Sequence, residues 1–199
     1  MSAVLPTLYI VRHGETAWTL SGQHTGLMDI PLTERGQSNA RCIGNVLRGK
    51  HFAYVLASPL ERARQTCELA GFSSDVEVDP DLIEWNYGKY QGLRMAEIWT
   101  ERPGWELFRD GCPEGESAAD VGVRADRIVR LVRAFSQDVL IFSHGHFLRV
   151  LAARWLGLEP QAGKYFLLNT ASLSMLGFEQ HITQPVIKVW NDLHHLMHH

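Results

Sequence analysis

The chain has 199 residues, 45% of them hydrophobic and 21% charged, the proportions of a globular domain of ordinary size with enough apolar side chains to build a core. Its formal net charge of -3 gives no global positive field of the kind that gathers nucleic acid, so any anion site must be a local cluster of cations. Cys42, Cys67 and Cys112 form an odd, sparse set without CxxC spacing, which argues against a disulfide framework or a thiolate zinc site and points to the cytoplasm; the N-terminus has no targeting pattern, and no apolar run approaches the ~18 residues that span a bilayer.

Short apolar runs rich in β-branched and aromatic residues alternate with longer stretches of helical period. This predicts an α/β fold with a mostly parallel sheet, in a single domain over 1–199. The first run, Leu8 to Val11, ends on Arg12, His13 and Gly14. A helix is expected from Thr33 to Leu47, with Thr33 as N-cap and Ala40, Ile43 and Leu47 on one stripe. After the run Phe52 to Ala57, Ser58-Pro59-Leu60-Glu61 has capping-box spacing with proline at the first helical position, and Leu60, Ala63, Cys67 and Ala70 repeat at helical intervals up to Gly71. Residues 80–116 are irregular and rich in tryptophan and glycine, without linker composition, and are expected to form an insertion over one edge.

A third helix, from about Ser117 to Phe135, carries the apolar series Val121, Ala125, Ile128, Val129, Val132 and Phe135. Its arginines Arg124, Arg127, Arg130 and Arg133 lie mostly on the other face. The i,i+4 spacings Asp120–Arg124 and Asp126–Arg130 predict a solvated, ion-paired surface there. The run Val139 to Phe142 leads through Ser143-His144-Gly145-His146 into a helix closed by Gly157 and Pro160. Two late strands follow, at roughly 171–178 and 186–190. The tail HHLMHH is expected to be a frayed end rather than a metal site.

Three strands thus end in polar residues of one chemical type: Arg12-His13-Gly14, Ser58 leading to Arg62, and Ser143-His144-Gly145-His146. In parallel sheets ligands bind outside the carboxyl ends of the strands, where helix N-termini also point. Arg62 carries information of its own, because a cation in the first turn of a helix faces the positive end of the macrodipole and suggests an anion between them. Guanidinium forks match phosphate oxygens, and two arginines balance a phosphate monoester dianion. A neutral imidazole beside them is a suitable nucleophile.

Arg12-His13-Gly14-Glu15-Thr16, SPLERARQT (58–66) and Ser143-His144-Gly145-His146, in this order and over essentially the whole chain, resemble the histidine phosphatase superfamily and its phosphoglycerate-mutase-like fold. The resemblance implies a three-layer α/β/α sandwich with a mostly parallel central sheet. It further implies that His13 is phosphorylated while Arg12, Arg62 and His144 surround the transferred phosphoryl group, and that a general acid is needed, for which Glu84 in LIEWNYGKYQG is the candidate. Within the family, SGQHTGLMDIPLTERG (21–36), EWNYG and RDGCPEGES (109–117) are similar to the fungal sedoheptulose-bisphosphatase type, except that His24 stands where that type has tyrosine. Cofactor-dependent phosphoglycerate mutases match less well, since their longer insertions are missing and His146 stands where they carry asparagine.

The expected reaction is in-line phosphoryl transfer to His13, with Arg12, Arg62 and a donating His144 on the equatorial oxygens. Glu84 begins protonated, donates to the leaving alkoxide, and takes a proton from water in the second half-reaction. Gln23, His24, Thr25, Trp85, Asn86 and Tyr87 are expected to form the wall around the organic part, with Gly145 and His146 completing the binding set; a protonated His24 near a distal phosphate would add a charge-assisted contact. The expected partner is a small phosphorylated metabolite, a sugar phosphate or bisphosphate, with no nucleic acid, membrane, cofactor or metal; a homodimer stays open. A phosphoglycerate mutase and a non-catalytic phospholigand-binding protein are the alternatives. His13, His144 and His146 with Glu15 or Glu84 are acceptable zinc ligands by type, but the adjoining arginines would repel the ion.

Overall fold

The computed structural model describes residues 5–74 and 76–197. In chain order its elements are β1 (Leu8–Arg12), α1 (Ala17–Ser21), α2 (Glu34–Leu47), β2 (Tyr54–Ala57), α3 (Glu61–Leu69), β3 (Val76–Val78), α4 (Met95–Glu101), α5 (Leu107–Asp110), α6 (Ala118–Arg133), β4 (Val139–Ser143), α7 (Gly145–Trp155), β5 (Leu173–Phe178) and β6 (Pro185–Asp192), with short 3-10 turns between them. Six strands form one sheet in the order β3-β2-β4-β1-β5-β6. The pairs among β3, β2, β4 and β1 are parallel, whereas β5 and β6 run antiparallel.

Side-chain alternation on the strands builds the three layers. Leu8 and Ile10 of β1 join a core with Val121, Ala125 and Ile128 of α6 and Phe147 and Leu151 of α7. Tyr9 and Val11 point the other way, into a core with Ile43 and Leu47 of α2 and Cys67 of α3. The sheet is therefore covered on both faces, as parallel strands require. Each aliphatic side chain buried in this way contributes about 1.5–3 kcal/mol. No helix among the described residues is long and apolar enough to cross a membrane.

Three expectations are revised. Residues 80–116 are less irregular and more buried than expected: Leu82, Trp85, Tyr87, Tyr90, Ile98, Trp105 and Phe108 belong to the same core as α6 and α7, and the segment includes α4 and α5. The physical reason is that the buried indole N–H groups find carbonyls, Trp85 at Glu116 (2.9 Å) and Trp105 at Gly111 (2.8 Å), so these large rings are buried without stranded donors; the half-exposed Trp99 donates to Trp105 (2.8 Å). On α6, Arg124 is buried and pairs with Glu116 rather than Asp120; Asp120 instead closes a capping box with Ser117. Of the tail, His198 and His199 lie outside the described residues, while His194–Leu196 form a turn in which His195 Nε2 lies 2.9 Å from the Ala171 carbonyl.

Candidate active site

The carboxyl ends of β2, β4 and β1 lie side by side, and backbone bonds fix what leaves them. The His13 N–H donates to the Ser143 carbonyl (2.9 Å) and the Ser58 N–H to that of Phe142 (3.0 Å). His13 and His144 are thereby neighbours, ring centroids 5.2 Å apart, and Ser58 Oγ lies 2.7 Å from His144 Nε2. Gly14 is demanded by space. A Cβ there would stand 2.6 Å from the Gly36 carbonyl oxygen, so the chain can pass against the first turn of α2 only without a side chain.

Arg62, in the first turn of α3, is fully buried. Its Nη1 and Nη2 donate to the carbonyls of Met28 and Gly26, both at 2.8 Å, and its Nε faces His13 Nε2 at 3.3 Å. The expected capping box does not form. Ser58 Oγ accepts the Leu60 N–H (3.3 Å), and the Glu61 N–H goes to Asp29 Oδ1 (2.6 Å). A carboxylate from another segment caps α3, which leaves Ser58 for the site.

Partners assign the imidazole protons. His13 Nδ1 lies 2.7 Å from the Gly14 carbonyl, which can only accept, so Nδ1 carries the proton and Nε2 the lone pair. The Arg62 N–H directed at Nε2 requires the same tautomer. Burial, followed by the charges of Arg62 and Arg12, pushes the His13 imidazole well below the ordinary histidine range, so the ring is neutral at pH 7. His144 is lowered likewise, by burial and then by Arg62, His13 and Arg12. Ser58 Oγ, which accepts the Leu60 N–H, can give its own proton to His144 Nε2, and in that tautomer His144 Nδ1 is an N–H donor. That Nδ1 and Arg12 Nε are buried without a partner among the described residues. Two such donors beside a lone pair fit the acceptor oxygens of a phosphoryl group. Arg12 is oriented by a bond to the Leu168 carbonyl, and its guanidinium lies 3.1 Å from where a Cβ on Gly145 would be.

Glu84 is 6% exposed. Its Oε1 accepts the N–H groups of Trp85 (2.9 Å) and Phe147 (3.0 Å), and its Oε2 that of His146 (3.2 Å). Two of these donors belong to the first turn of α7, whose N-cap His144 makes no side-chain cap bond. Glu84 therefore caps α7 from a distant segment. Oε1 is doubly occupied, and Oε2 keeps the capacity for a proton.

Arg12, His13, Arg62 and Glu84 line a cavity of about 180 Å³, with His144 and Ser58 behind that lining. Of the expected wall, Gln23, His24, Thr25, Tyr87, Gly145 and His146 line it, whereas Trp85 and Asn86 do not. Trp85 is in the core with its ring against Phe108, centroids 5.5 Å apart. Asn86 spends its Oδ1 on the Gly88 N–H (3.0 Å). His24 donates from Nδ1 to the Leu93 carbonyl (2.8 Å), and burial lowers its proton affinity against the opposing effects of Leu93 and Glu84. It offers a neutral acceptor rather than the expected cation. Tyr87 Oη lies 2.5 Å from His146 Nδ1, and the His24 and His146 rings are stacked at 6.4 Å.

Trp18, Thr19, Gly22, Leu168 and Arg149 also line the cavity, and no motif had marked them. Arg149 matters most. Its Nε and Nη2 donate to the carbonyls of Gly163 (3.0 Å) and Lys164 (3.1 Å), its guanidinium lies 4.6 Å over the Phe108 ring, and no carboxylate pairs with it among the described residues. The signal that could have found it is its i,i+4 relation to Gly145, which places both on one face of α7. Among the described residues no group of three or more His, Cys, Asp or Glu is placed to hold a metal.

The sequence profile of the histidine phosphatase superfamily (branch 1) matches residues 8–193. The chain is 41% identical over 184 residues to an acid phosphatase of Mycobacterium tuberculosis, covering 90% of each protein. It is 38% identical over 194 residues to the sedoheptulose 1,7-bisphosphatase of Saccharomyces cerevisiae, covering 81% of this chain and 71% of that one. A solved structure of an open-reading-frame product from Mycobacterium tuberculosis superposes with a TM-score of 0.88 at 38% identity, covering 94% and 97% of the two chains.

Proposed function

The chain belongs to the histidine phosphatase superfamily, and on that premise we propose that it hydrolyses small phosphorylated polyols, sugar bisphosphates foremost, through a phosphohistidine at His13. It is a phosphatase of the histidine phosphatase type. The observation that carries the mechanism is the His13 tautomer: with Nδ1–H committed to the Gly14 carbonyl, Nε2 is left as a lone pair against Arg62.

In the first half-reaction Nε2 attacks phosphorus as the ester P–O bond breaks, and Glu84 Oε2 gives its proton to the departing alkoxide. Arg12, Arg62 and His144 Nδ1–H carry the equatorial charge. In the second, water attacks the phosphohistidine, the N–P bond breaks, and Glu84 takes the proton of the water. His13 is regenerated and inorganic phosphate leaves.

Substrate class rests on Arg149. A part-buried cation with no carboxylate partner among the described residues, on the wall of a cavity that already holds two phosphate-binding arginines, suits a second anionic group. His24 as an acceptor and His146 with Tyr87 suit hydroxyls between the two ends. The sedoheptulose 1,7-bisphosphatase relative supports the same reading. The test is phosphate release from a panel of sugar monophosphates, sugar bisphosphates and phosphoglycerates. Arg149→Ala should raise KM for a sugar bisphosphate by ~10- to 100-fold, the worth of a charged hydrogen bond, with KM for the monophosphate little changed. An equal effect on both removes the second-phosphate assignment, and isomerisation of phosphoglycerate without net release marks a mutase instead.

A further inference from the structure

We propose that the part-buried ion pair Arg124–Glu116 is a positioning device for the general acid, holding the backbone that carries Glu84 so that its carboxylate meets the leaving oxygen. The inference rests on the phosphohistidine mechanism above and assigns new roles to two residues that do not line the cavity.

The contacts are numerous and one-sided. Arg124 forms a bidentate pair with Glu116, Nε to Oε1 at 2.8 Å and Nη2 to Oε2 at 3.0 Å. Its Nη1 donates to the carbonyls of Asp81 (2.7 Å) and Ile83 (3.1 Å), and its Nη2 reaches that of Glu84 at 3.5 Å. Glu116 grips the other side: its Oε2 accepts the Asn86 N–H (2.8 Å), its carbonyl accepts the Trp85 indole N–H (2.9 Å), and its own N–H donates to the Asn86 carbonyl (2.9 Å). Residues 81, 83, 84, 85 and 86 are thus all bonded to one charge pair, with Glu84 in the middle. Arg127 adds a bidentate bond to the Asp81 carboxylate.

A pair serving stability alone would satisfy its hydrogen bonds wherever carbonyls were nearest; this one spends nearly all of them on the irregular segment that presents the acid. That segment lacks a helix or strand to fix it between the turn ending at Leu82 and the one beginning at Gly88. The clamp takes the place of regular structure. A cavity of catalytic geometry tolerates little slack, and a displacement of about 1 Å can cost ~10²-fold in rate.

The test separates positioning from bulk stability through the leaving group. A sugar alkoxide needs a proton from Glu84, whereas nitrophenolate departs without one. Arg124→Gln should lower kcat for a sugar phosphate by ~10²-fold with KM nearly constant, yet preserve the burst of nitrophenolate from p-nitrophenyl phosphate, with radiolabelled phosphohistidine accumulating in alkali-quenched samples. In a Glu84→Gln background the same substitution should add no further loss. Equal loss of sugar-phosphate turnover and of the nitrophenolate burst, or additive losses in the double variant, overturns the proposal. Should Arg124→Gln fail to fold, the isosteric Glu116→Gln decides by the same two criteria. Absence of label and burst with p-nitrophenyl phosphate in both the unsubstituted enzyme and Glu84→Gln would sink the phosphohistidine mechanism itself, an outcome distinct from a labelled enzyme in which the clamp variants show no leaving-group selectivity.

Discussion

In the proposed mechanism His13 and Glu84 divide the work between attack and departure, and their surroundings differ accordingly. His13 has its proton fixed on the side away from phosphorus by a carbonyl, while Glu84 has one oxygen saturated by backbone donors and one left to exchange a proton. Glu84→Gln keeps the shape and removes the exchange. Phosphorylation by a sugar phosphate should slow by the ~10²- to 10⁴-fold of general acid catalysis, with little change for p-nitrophenyl phosphate, and the phosphoenzyme should accumulate because water has lost its base; stopped-flow burst kinetics read both. Equal slowing of the two esters would make Glu84 a positioning group. Neither Glu116 nor Glu15 would then be a ready substitute, since Glu116 is committed to Arg124 and Glu15 Oε1 accepts from Thr33 (2.8 Å). The candidate site was legible in the sequence where residues sit in short motifs, Arg12, His13 and His144 at strand ends and Arg62 in the first turn of the helix after β2. Arg149 was not, because its one mark is the i,i+4 relation to Gly145, which no motif singles out from the other spacings on α7.

Regular elements were legible and the irregular segment was misread for one reason: periodicity reports on repeated burial, and residues 80–116 bury large rings without repetition. Thr33 caps α2 as its spacing implied, and the α6 stripe Val121, Ala125, Ile128, Val129 and Val132 is buried throughout. Trp85, by contrast, follows the acid directly and was assigned to the substrate wall, yet it is 0% exposed. The same misreading made a solvated face of Arg124, whose partner lies eight residues upstream in a loop rather than one helical turn away. Trp85→Ala should therefore act on the fold: it removes a buried ring and an indole bond, at about 3–5 kcal/mol. Urea unfolding should show that loss while KM for the substrate stays within about twofold of its original value, as a core role predicts. A large rise in KM with stability preserved would return Trp85 to the substrate wall.

At the scale of the whole molecule, the active site opposes the fold in acid. His13 and His144 are almost wholly buried, 3% and 0% exposed, and both are held well below the ordinary histidine range by burial and by neighbouring arginines. An unfolded chain takes up protons on these rings once the pH drops below about 6.5, while the folded chain does not. The sign follows: their neutral burial costs nothing above that pH, and stability is lost as the pH falls from there toward the depressed folded values. His146 is lowered in the same way, by burial and then by Arg149, His24 and Arg12. Each of the three rings contributes roughly 1.4 kcal/mol per pH unit in that interval, so urea unfolding at pH 5.5 should give a free energy about 4 kcal/mol lower than at pH 7.5. The carboxylates held below their usual range, Asp81 by Arg127, Asp120 by Ser117, Asp110 by Arg109 to about 2, release their stability at lower pH and do not obscure the effect. His144→Asn should remove about a third of the slope by withdrawing one of the three rings. A free energy flat from pH 7.5 to 5.5 would mean that the rings charge inside the folded enzyme, and a charged His13 has no lone pair with which to attack phosphorus.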